Sequence, residues 1–368
     1  MADVVLLEPW FKGSHAQWCI GWQQASRHNI AIVAGPEGGW RKSLRAGPAF
    51  FANQLEKSHQ TVDVIVASSP IDLAGVIGCS SRLFRNKPFI LYMHESQFGY
   101  PPGLKGPPAD HLLATDFNAI KASTRTLVAS NYHRELLTKA LPEFAEELVL
   151  GNTTESMAAF HIDTLPVGVG LIEPRLSDLS GPPRILWNHR WSADKDPEGF
   201  VSAIKQLALE NYDFEVIAIG PVERSGSTQF LRLKKTLGPR LIASGEQSRN
   251  SYISYLQTAD IVVSTSRHEF FGVSVVEAIS AGVRPLLPNR LSYPELVPGH
   301  LRDSFLYSGY IYESLAPLLM TTRSRLHENR DALIKHVESF NWRSLVHDYD
   351  DIVDNVAGQV GEQGDLRR

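Results

Sequence analysis

Cysteine is scarce in this chain: there are 2, Cys19 and Cys79, far apart and in no metal-binding or disulfide spacing. That excludes a disulfide framework and a zinc ribbon, and makes a reducing, cytoplasmic setting the expectation. Long hydrophobic runs are missing as well, and no uninterrupted apolar segment approaches the roughly 20 residues that a membrane span needs. Nor is there a strongly basic amphipathic helix to lie on a membrane surface. Charge of one sign is not in excess, with 36 Lys and Arg against 40 Asp and Glu and a formal net charge of -4. A general affinity for nucleic acid is thereby excluded, whereas a local basic patch is not. The opening Met-Ala-Asp-Val-Val-Leu-Leu-Glu has an acidic residue and only a short apolar run before Pro9, so it reads as a first strand and not as a signal peptide.

What remains is an ordinary globular composition, 43% hydrophobic and 21% charged, in 368 residues, which is room for two domains. Short β-branched runs at Val4–Glu8, Ile30–Ala34, Val62–Ala67, Phe89–Met93 and Thr126–Ala129 predict buried parallel strands. Helical spacing lies between most of them, at Ile71–Phe84, Asp110–Ser123 and Tyr132–Ala140. Val167–Leu171 ends this series, and Ser177–Pro183 has linker composition. A second alternation follows, with strands at Arg184–Arg190, Phe214–Gly220, Leu241–Ile242, Asp260–Val263 and Val283–Pro288 and helices at Phe230–Leu237 and Tyr252–Ala259. The expectation is an α/β chain of two doubly wound domains, 1–176 and 177–340. A helix over 341–357, with Leu345, Tyr349 and Ile352 on one face, crosses back to the first domain, and 358–368 form a flexible polar tail.

The most informative stretch is Arg267-His-Glu-Phe-Phe-Gly-Val-Ser-Val-Val-Glu-Ala278, between the strand Asp260–Ser266 and a helical pattern ending at Gly282. Gly272 lets the backbone come close to a ligand, and the helix starting there aims unpaired N–H groups at the loop. That is an anion site, flanked by Glu269 before the helix and Glu277 within it. Carboxylates accept hydrogen bonds from hydroxyls, so phosphate in the middle and hydroxyls at both ends describe a nucleotide sugar. Arg190 and Lys195 share one strand-to-helix loop, with Pro197 at the helix start, and suit a diphosphate as a guanidinium fork and a point charge.

Three loop constellations stand out in the first half: Gly13-Ser14-His15; Met93-His94-Glu95-Ser96-Gln97-Phe98-Gly99-Tyr100-Pro101; and Asp116-Phe117-Asn118 with Ser130–His133. Trp40, Arg41, Lys42 and Arg45 combine a stacking surface with phosphate-pairing charge, the elements of RNA contact, and equally describe a solvated helix start. Arg82, Arg85 and Lys87 form a second basic cluster with the same two readings.

The Glu-x7-Glu spacing from Glu269 to Glu277, with Phe-Phe-Gly between, resembles the signature of retaining family 4 glycosyltransferases of the GT-B fold. With Leu-Glu-Pro-Trp-Phe-Lys-Gly-Ser-His at the start, Gly39–Arg45, and the His94 to Pro101 motif, the chain more narrowly resembles the tRNA-queuosine alpha-mannosyltransferases. It departs from that pattern in having Ser96 where Asn is usual and Phe98-Gly99 before Tyr100. The resemblance implies GDP-mannose as donor and queuosine-containing tRNA as acceptor. It makes His94, Arg190, Lys195 and Glu269 the catalytic set. Donor contacts fall to Gly13, Ser14, Arg190, Lys195, Gly220, Glu269, Phe270, Phe271, Gly272, Val273 and Glu277. Acceptor contacts fall to His15, His94, Glu95, Gln97, Tyr100, Trp40, Arg41, Lys42 and Arg45. Tyr293–Leu296 would wall the pocket.

On this reading Arg190 and Lys195 stabilise the leaving diphosphate, and His94 positions a sugar or acceptor hydroxyl. No metal is expected, because the cationic side chains hold the diphosphate. Asp194-Lys195-Asp196 and Asp348-Tyr349-Asp350 match an Asp-x-Asp metal motif, but the first holds the phosphate lysine and a capping Asp, and the second lies in the return helix. The alternatives are a family 4 enzyme acting on a polysaccharide or glycolipid, a non-catalytic nucleotide-sugar-binding protein, and an epimerase. The sequence leaves the oligomeric state open.

Overall fold

The computed structural model describes residues 1–58, 61–100, 110–148, 160–174 and 181–365, and they form two compact units. The first comprises Met1–Gly170 with Phe340–Arg368, the second Leu171–Ser339. Pro101 of the tyrosine-proline motif and Ser177–Ser180 of the linker lie outside the described residues.

In the first unit β1 (Asp3–Glu8), α1 (Gly13–Ala25), β2 (Asn29–Ala34), α2 (Trp40–Ser58), β3 (Val64–Ser68), α3 (Leu73–Cys79), β4 (Phe89–Met93), α4 (Asp110–Ala122), β5 (Arg125–Val128), α5 (Asn131–Glu147) and β6 (Ile162–Thr164) follow in order. The sheet is parallel throughout, ordered β2-β1-β3-β4-β5-β6. Strand side chains alternate between faces. Val5, Leu7, Ile65, Ala67, Leu91 and Met93 join Phe51, Leu73, Phe117 and Leu137 in one core. On the other face Tyr92 packs on Trp18, 4.7 Å between centroids, and on Tyr349, 5.9 Å. Tyr349 belongs to the last helix, Trp342–Asp365, whose Trp342 fills a notch that a Cβ at Gly21 or Gly168 would occupy.

Three local expectations are corrected. Gly13-Ser14-His15 is the first turn of α1 and not a loop, because Gly13 takes φ +53 and turns the chain straight into the helix. The helix expected over Ile71–Phe84 is two: α3 ends where the Ser80 hydroxyl bonds the Val76 carbonyl, and a short turn Arg82–Arg85 follows. Arg85 donates to the carbonyls of Gly78 and Ser80, so it caps the end of α3. The last helix runs to Asp365, so 358–365 are helical and not a tail: Val353 and Val356 are buried, and an anchored helix elongates at one hydrogen bond per residue.

The second unit contains β7 (Arg184–Trp187), α6 (Pro197–Leu209), β8 (Glu215–Ile219), α7 (Ser227–Leu237), β9 (Leu241–Gly245), α8 (Arg249–Leu256), β10 (Ile261–Val263), α9 (Val273–Ser280), β11 (Arg284–Pro288), β12 (Leu306–Tyr307), α10 (Ile311–Leu319) and α11 (Arg330–Val337). Its sheet order is β12-β11-β10-β7-β8-β9, parallel throughout. Read from the other edge this is the 3-2-1-4-5-6 order of dinucleotide-binding domains. The chain winds outward from β7 in one direction, then from β10 in the other. Loops leaving the carboxyl ends of β7 and β10 therefore diverge over a crevice where ligands bind such sheets. Ile185, Trp187, Val216 and Val263 pack on α6 and α10 on one face, while Leu186, Ile217, Val262 and Ala278 form the core of the other.

Candidate functional site

The two loops that open over this switch point are sewn together. The Thr265 hydroxyl donates to the carbonyls of Lys195 and Asp196, at 2.9 Å each, and Arg267 N–H donates to Asp194 O at 2.8 Å. Arg290 donates to the carbonyls of Thr265 and Ser266 from the far side. Lys195 ends a short turn after β7. Asp196, at φ 48, caps α6 by accepting from Gly199 N–H at 3.2 Å, with Pro197 in the first helical position.

Lys195 Nζ reaches Glu269 Oε2 and His268 O, both at 3.0 Å, and Asp194 Oδ2 at 3.5 Å. The lysine side chain is 11% exposed and that of Glu269 18%. Burial alone would raise the Glu269 carboxyl, but the charge and hydrogen bond of Lys195 outweigh it and hold the group below the ordinary carboxylate range. Burial likewise opposes the charge on Lys195, and Glu269 and Asp194 overcome it, leaving Lys195 raised. Asp194 is lowered to about 2 by Lys195 and Arg190 against its own burial. His189, beneath the loop, is lowered to about 3, first by burial and then by Lys195, so it is neutral near pH 7. Arg190 is half exposed and is steadied by Glu223 at 3.3 Å and Asp194 at 3.5 Å.

Phe270 and Phe271 turn their rings into the core, so this stretch offers its backbone to the crevice. Gly272, at φ 103, precedes α9, whose first N–H groups have no partner within the helix. Its neighbours Tyr293 and Leu296 are buried against it. Glu277 is held at both oxygens, by Arg249 at 2.7 Å and the Tyr252 hydroxyl at 2.9 Å. Burial pushes its carboxyl up, against the pull of Arg249 and Tyr252. Asn188 donates to Tyr252 Oη and to Ser274 O. Gly220 lies one strand over, where a Cβ would come 2.1 Å from His189 O.

In the first unit a second cluster forms at the ends of β1, β3 and β4. His15 Nδ1 is 3.2 Å from Glu8 Oε1, the His15 and His94 rings are 4.3 Å apart, and Trp18 and Tyr92 enclose His94. His94 is lowered by burial first and by His15 and His133 next. Glu8, His15 and His94 each bring one ligand atom within 4.8 Å of the others, so they could hold a metal ion, a grouping the sequence reading did not foresee. The loop after β4 is pinned by Asp116, whose Oδ2 accepts from Ser96 Oγ at 3.0 Å and Gln97 N–H at 2.7 Å. Ser96 Oγ in turn accepts from Phe98 N–H, and Glu95 O accepts from Ser69 Oγ. Tyr100 is half-buried at the end of this loop.

Burial pushes the Asp116 carboxyl up to about 7 from 3.8, against Gln97 and Ser96, which hold it down. A raised acid contributes stability that is complete below its unfolded pKa and is lost as pH rises through the folded one. Asp116→Asn stays neutral, so the stability of the wild type relative to this variant should fall between about pH 4 and pH 7, by up to roughly 4 kcal/mol. Urea midpoints of both proteins across that range check it, and parallel curves would refute it.

The basic segment lies on the first turns of α2. Arg41 stacks over Trp40 at 4.6 Å, Lys42 donates to Glu37 O, and Arg41, Lys42 and Arg45 are exposed. The candidate residues thus divide between the units. The second brings together Arg190, Lys195, Gly220, Glu269, the 270–273 backbone and Glu277. The first brings Gly13, Ser14, His15 and His94 to one end of its sheet, with Glu95 and Gln97 on the loop after β4.

Both units match known sequences. The profile described as tRNA-queuosine alpha-mannosyltransferase N-terminal matches residues 3–160, and that of the glycosyl transferases group 1 matches residues 174–317. The chain belongs to the tRNA-queuosine alpha-mannosyltransferase family. It is a glycosyltransferase of the GT-B fold. A tRNA-queuosine alpha-mannosyltransferase of Drosophila melanogaster is 28% identical over 313 residues, 80% of this chain and 81% of the relative. A GDP-mannose:cellobiosyl-diphosphopolyprenol alpha-mannosyltransferase of Xanthomonas campestris is 24% identical, over 45% of each chain. Among solved structures, sucrose-phosphate synthase from Thermosynechococcus elongatus aligns with a TM-score of 0.76 at 12% identity, over 98% of this chain and 100% of that one. A glycosyltransferase from Rickettsia africae gives 0.68 at 14%, over 96% and 98%.

Sequence reasoning named Asp194 only to set aside its Asp-x-Asp match, and it missed Glu8, Glu223, Arg249, Tyr252, Asn188 and Thr265. Only Glu8 had a local signal, an acidic residue closing a buried apolar strand. The Asp-x-Asp matches are occupied otherwise: Asp194 pairs with Lys195, and Asp350 accepts from Ser26 Oγ and Arg27 N–H at the end of α1. Among the described residues no helix is long and apolar enough to cross a membrane.

Proposed function

We propose that this chain transfers mannose from GDP-mannose to the queuosine nucleoside of tRNA with retention of anomeric configuration. The observation that carries the reading is the match of residues 3–160 to the N-terminal domain of that family, since this domain and not the donor loop distinguishes its acceptor. The donor loop supports a nucleoside diphosphate sugar of either base. Cleaving the glycosidic bond puts negative charge on the diphosphate. Arg190, half exposed, and Lys195, which is paired with Glu269 and Asp194, meet that charge as it grows. The first amides of α9, at Val273 and Ser274, add partial positive charge, and in the first unit Gly13 and Ser14 are candidate donor contacts by family resemblance. Glu277 takes the ribose hydroxyls, and Glu269 a hydroxyl of the sugar. His94, neutral at pH 7, positions a sugar or acceptor hydroxyl as donor or acceptor of a hydrogen bond.

In the first unit His15, Glu95, Gln97 and Tyr100 are the candidate contacts to the acceptor nucleoside. Trp40, Arg41, Lys42 and Arg45 offer stacking and phosphate pairing to the surrounding RNA. A metal is not needed to hold the diphosphate on this reading. Purified protein incubated with GDP-mannose and queuosine-containing tRNA should add one hexose to queuosine, read by mass spectrometry of the digested nucleosides. Unchanged queuosine, with the donor shown to bind, would refute the acceptor assignment and retain the glycosyltransferase. Arg41→Ala with Arg45→Ala should weaken tRNA binding and lower its salt slope by up to about 2, leaving the donor KM unchanged. Filter binding across salt concentrations reads this, and an unaltered slope would remove the segment from the RNA contact.

A further inference from the structure

Glu8, at the end of β1, is 0% exposed and has no part in the function just proposed. Its carboxylate accepts from Trp10 N–H at 2.8 Å, Ser68 Oγ at 2.5 Å and Cys19 Sγ at 3.8 Å, with His15 Nδ1 at 3.2 Å. Among the described residues its one ion-pair contact is His15, and no lysine or arginine neutralises it. Trp10 N–H, Ser68 Oγ and Cys19 Sγ take three of the four acceptor sites of a carboxylate, and the fourth faces His15 Nδ1. The group is rigid, and it sits where the His94 ring is 4.3 Å from that of His15.

We propose that Glu8 is a positioning residue: it fixes the ring and tautomer of His15, and through that ring it holds His94 in the orientation the reaction uses. Glu8 accepts from every other partner, so His15 Nδ1 carries the proton and Nε2 becomes the acceptor. A buried carboxylate behind an imidazole sets orientation in this way in other enzymes. His94 is closed in by Trp18 at 4.6 Å and Tyr92 at 4.8 Å, so of its ring neighbours His15 is the one set by a buried charge. The same three residues could hold a cation. The filled lone pairs of Glu8 favour orientation over ligation, because a metal would have to displace at least one of the donors.

The effect on turnover rests on the transferase reading, whereas the geometry does not, and the test separates them. In the full chain labelled with 15N-histidine, with His15 assigned by its loss in His15→Gln, the His15 resonances should report the Nδ1–H tautomer. That needs no substrate. In the transfer assay Glu8→Gln should lower kcat about 10–100-fold with donor KM within about threefold. Added to His15→Gln it should cost nothing further, because both act through one ring. Glu8→Asp should recover part of the loss. An Nε2–H tautomer in the wild type, losses that multiply in the double variant, or stoichiometric Zn2+ binding abolished by His15→Gln would each overturn the proposal.

Discussion

Lys195→Met is expected to lower kcat about 10²–10³-fold and to destabilise the second unit at the same time. The two effects have one origin. The ammonium is the positive charge nearest the leaving diphosphate on the proposed reading, and a preorganised donor of this kind contributes that much to the transition state. It is also the partner of two enclosed carboxylates, Glu269 at 3.0 Å and Asp194 at 3.5 Å. Removing it leaves both without their principal cation, at a cost of about 3–5 kcal/mol. Because the folded pKa of Glu269 is depressed, the pair's contribution is present above the unfolded value of 4.5 and is lost as pH falls through the folded one. At pH 7 the full destabilisation should therefore appear in the urea midpoint. Lys195→Met with Glu269→Gln removes one of the two stranded carboxylates and leaves Asp194 to Arg190, so it should recover part of the stability and none of the activity. A single variant that is unstable yet retains kcat within about twofold would make Lys195 structural only.

Gly220→Ala should be the most disruptive single methyl group in the second unit. A Cβ there would sit 2.1 Å from His189 O and 2.7 Å from its carbonyl carbon, at φ +144, a conformation side chains rarely adopt. The obstacle is backbone, and it is pinned: Trp191 N–H donates to Pro221 O at 2.8 Å, and Gly220 N–H to Gly245 O at 2.9 Å. Neither loop can yield without breaking a bond that holds Arg190 over the crevice. A loss of about 4–5 kcal/mol is expected, with donor binding weakened in the folded fraction. Gly272→Ala is the control: it shares the unfavourable φ, but its nearest contact is the flexible tip of Leu296 at 3.2 Å. Urea midpoints and calorimetric donor binding for the two variants decide the matter. An unaltered midpoint for Gly220→Ala would show that the loops slide freely.

Local pattern carried much of what the chain disclosed. Buried strands are short β-branched runs, so the loops that follow them could be placed, and Arg190, Lys195, Glu269 and Glu277 are on them. Pattern misled where punctuation and backbone conformation disagree. Gly13 reads as a loop residue yet opens a helix, and Ser80 ends α3 inside a continuous apolar periodicity. The 19-residue helix α2 runs unbroken through Gly47 and Pro48, two residues that argue against a helix, so it had no clear signal beyond Arg45.

The sequence by itself determined the two α/β series, the cationic loop and the donor-loop glutamates, because each is written within some ten consecutive residues. Tertiary structure alone decided that β7 lies beside β10, so that Lys195 meets a carboxylate 74 residues away. It also decided that Glu8 and His94 flank one imidazole, and that Trp342 of the last helix lies in a notch at Gly21 and Gly168. Periodicity states which face of a strand is buried. Which strand lies beside which follows from how both faces of a whole sheet are covered at once, and no local run of residues contains that.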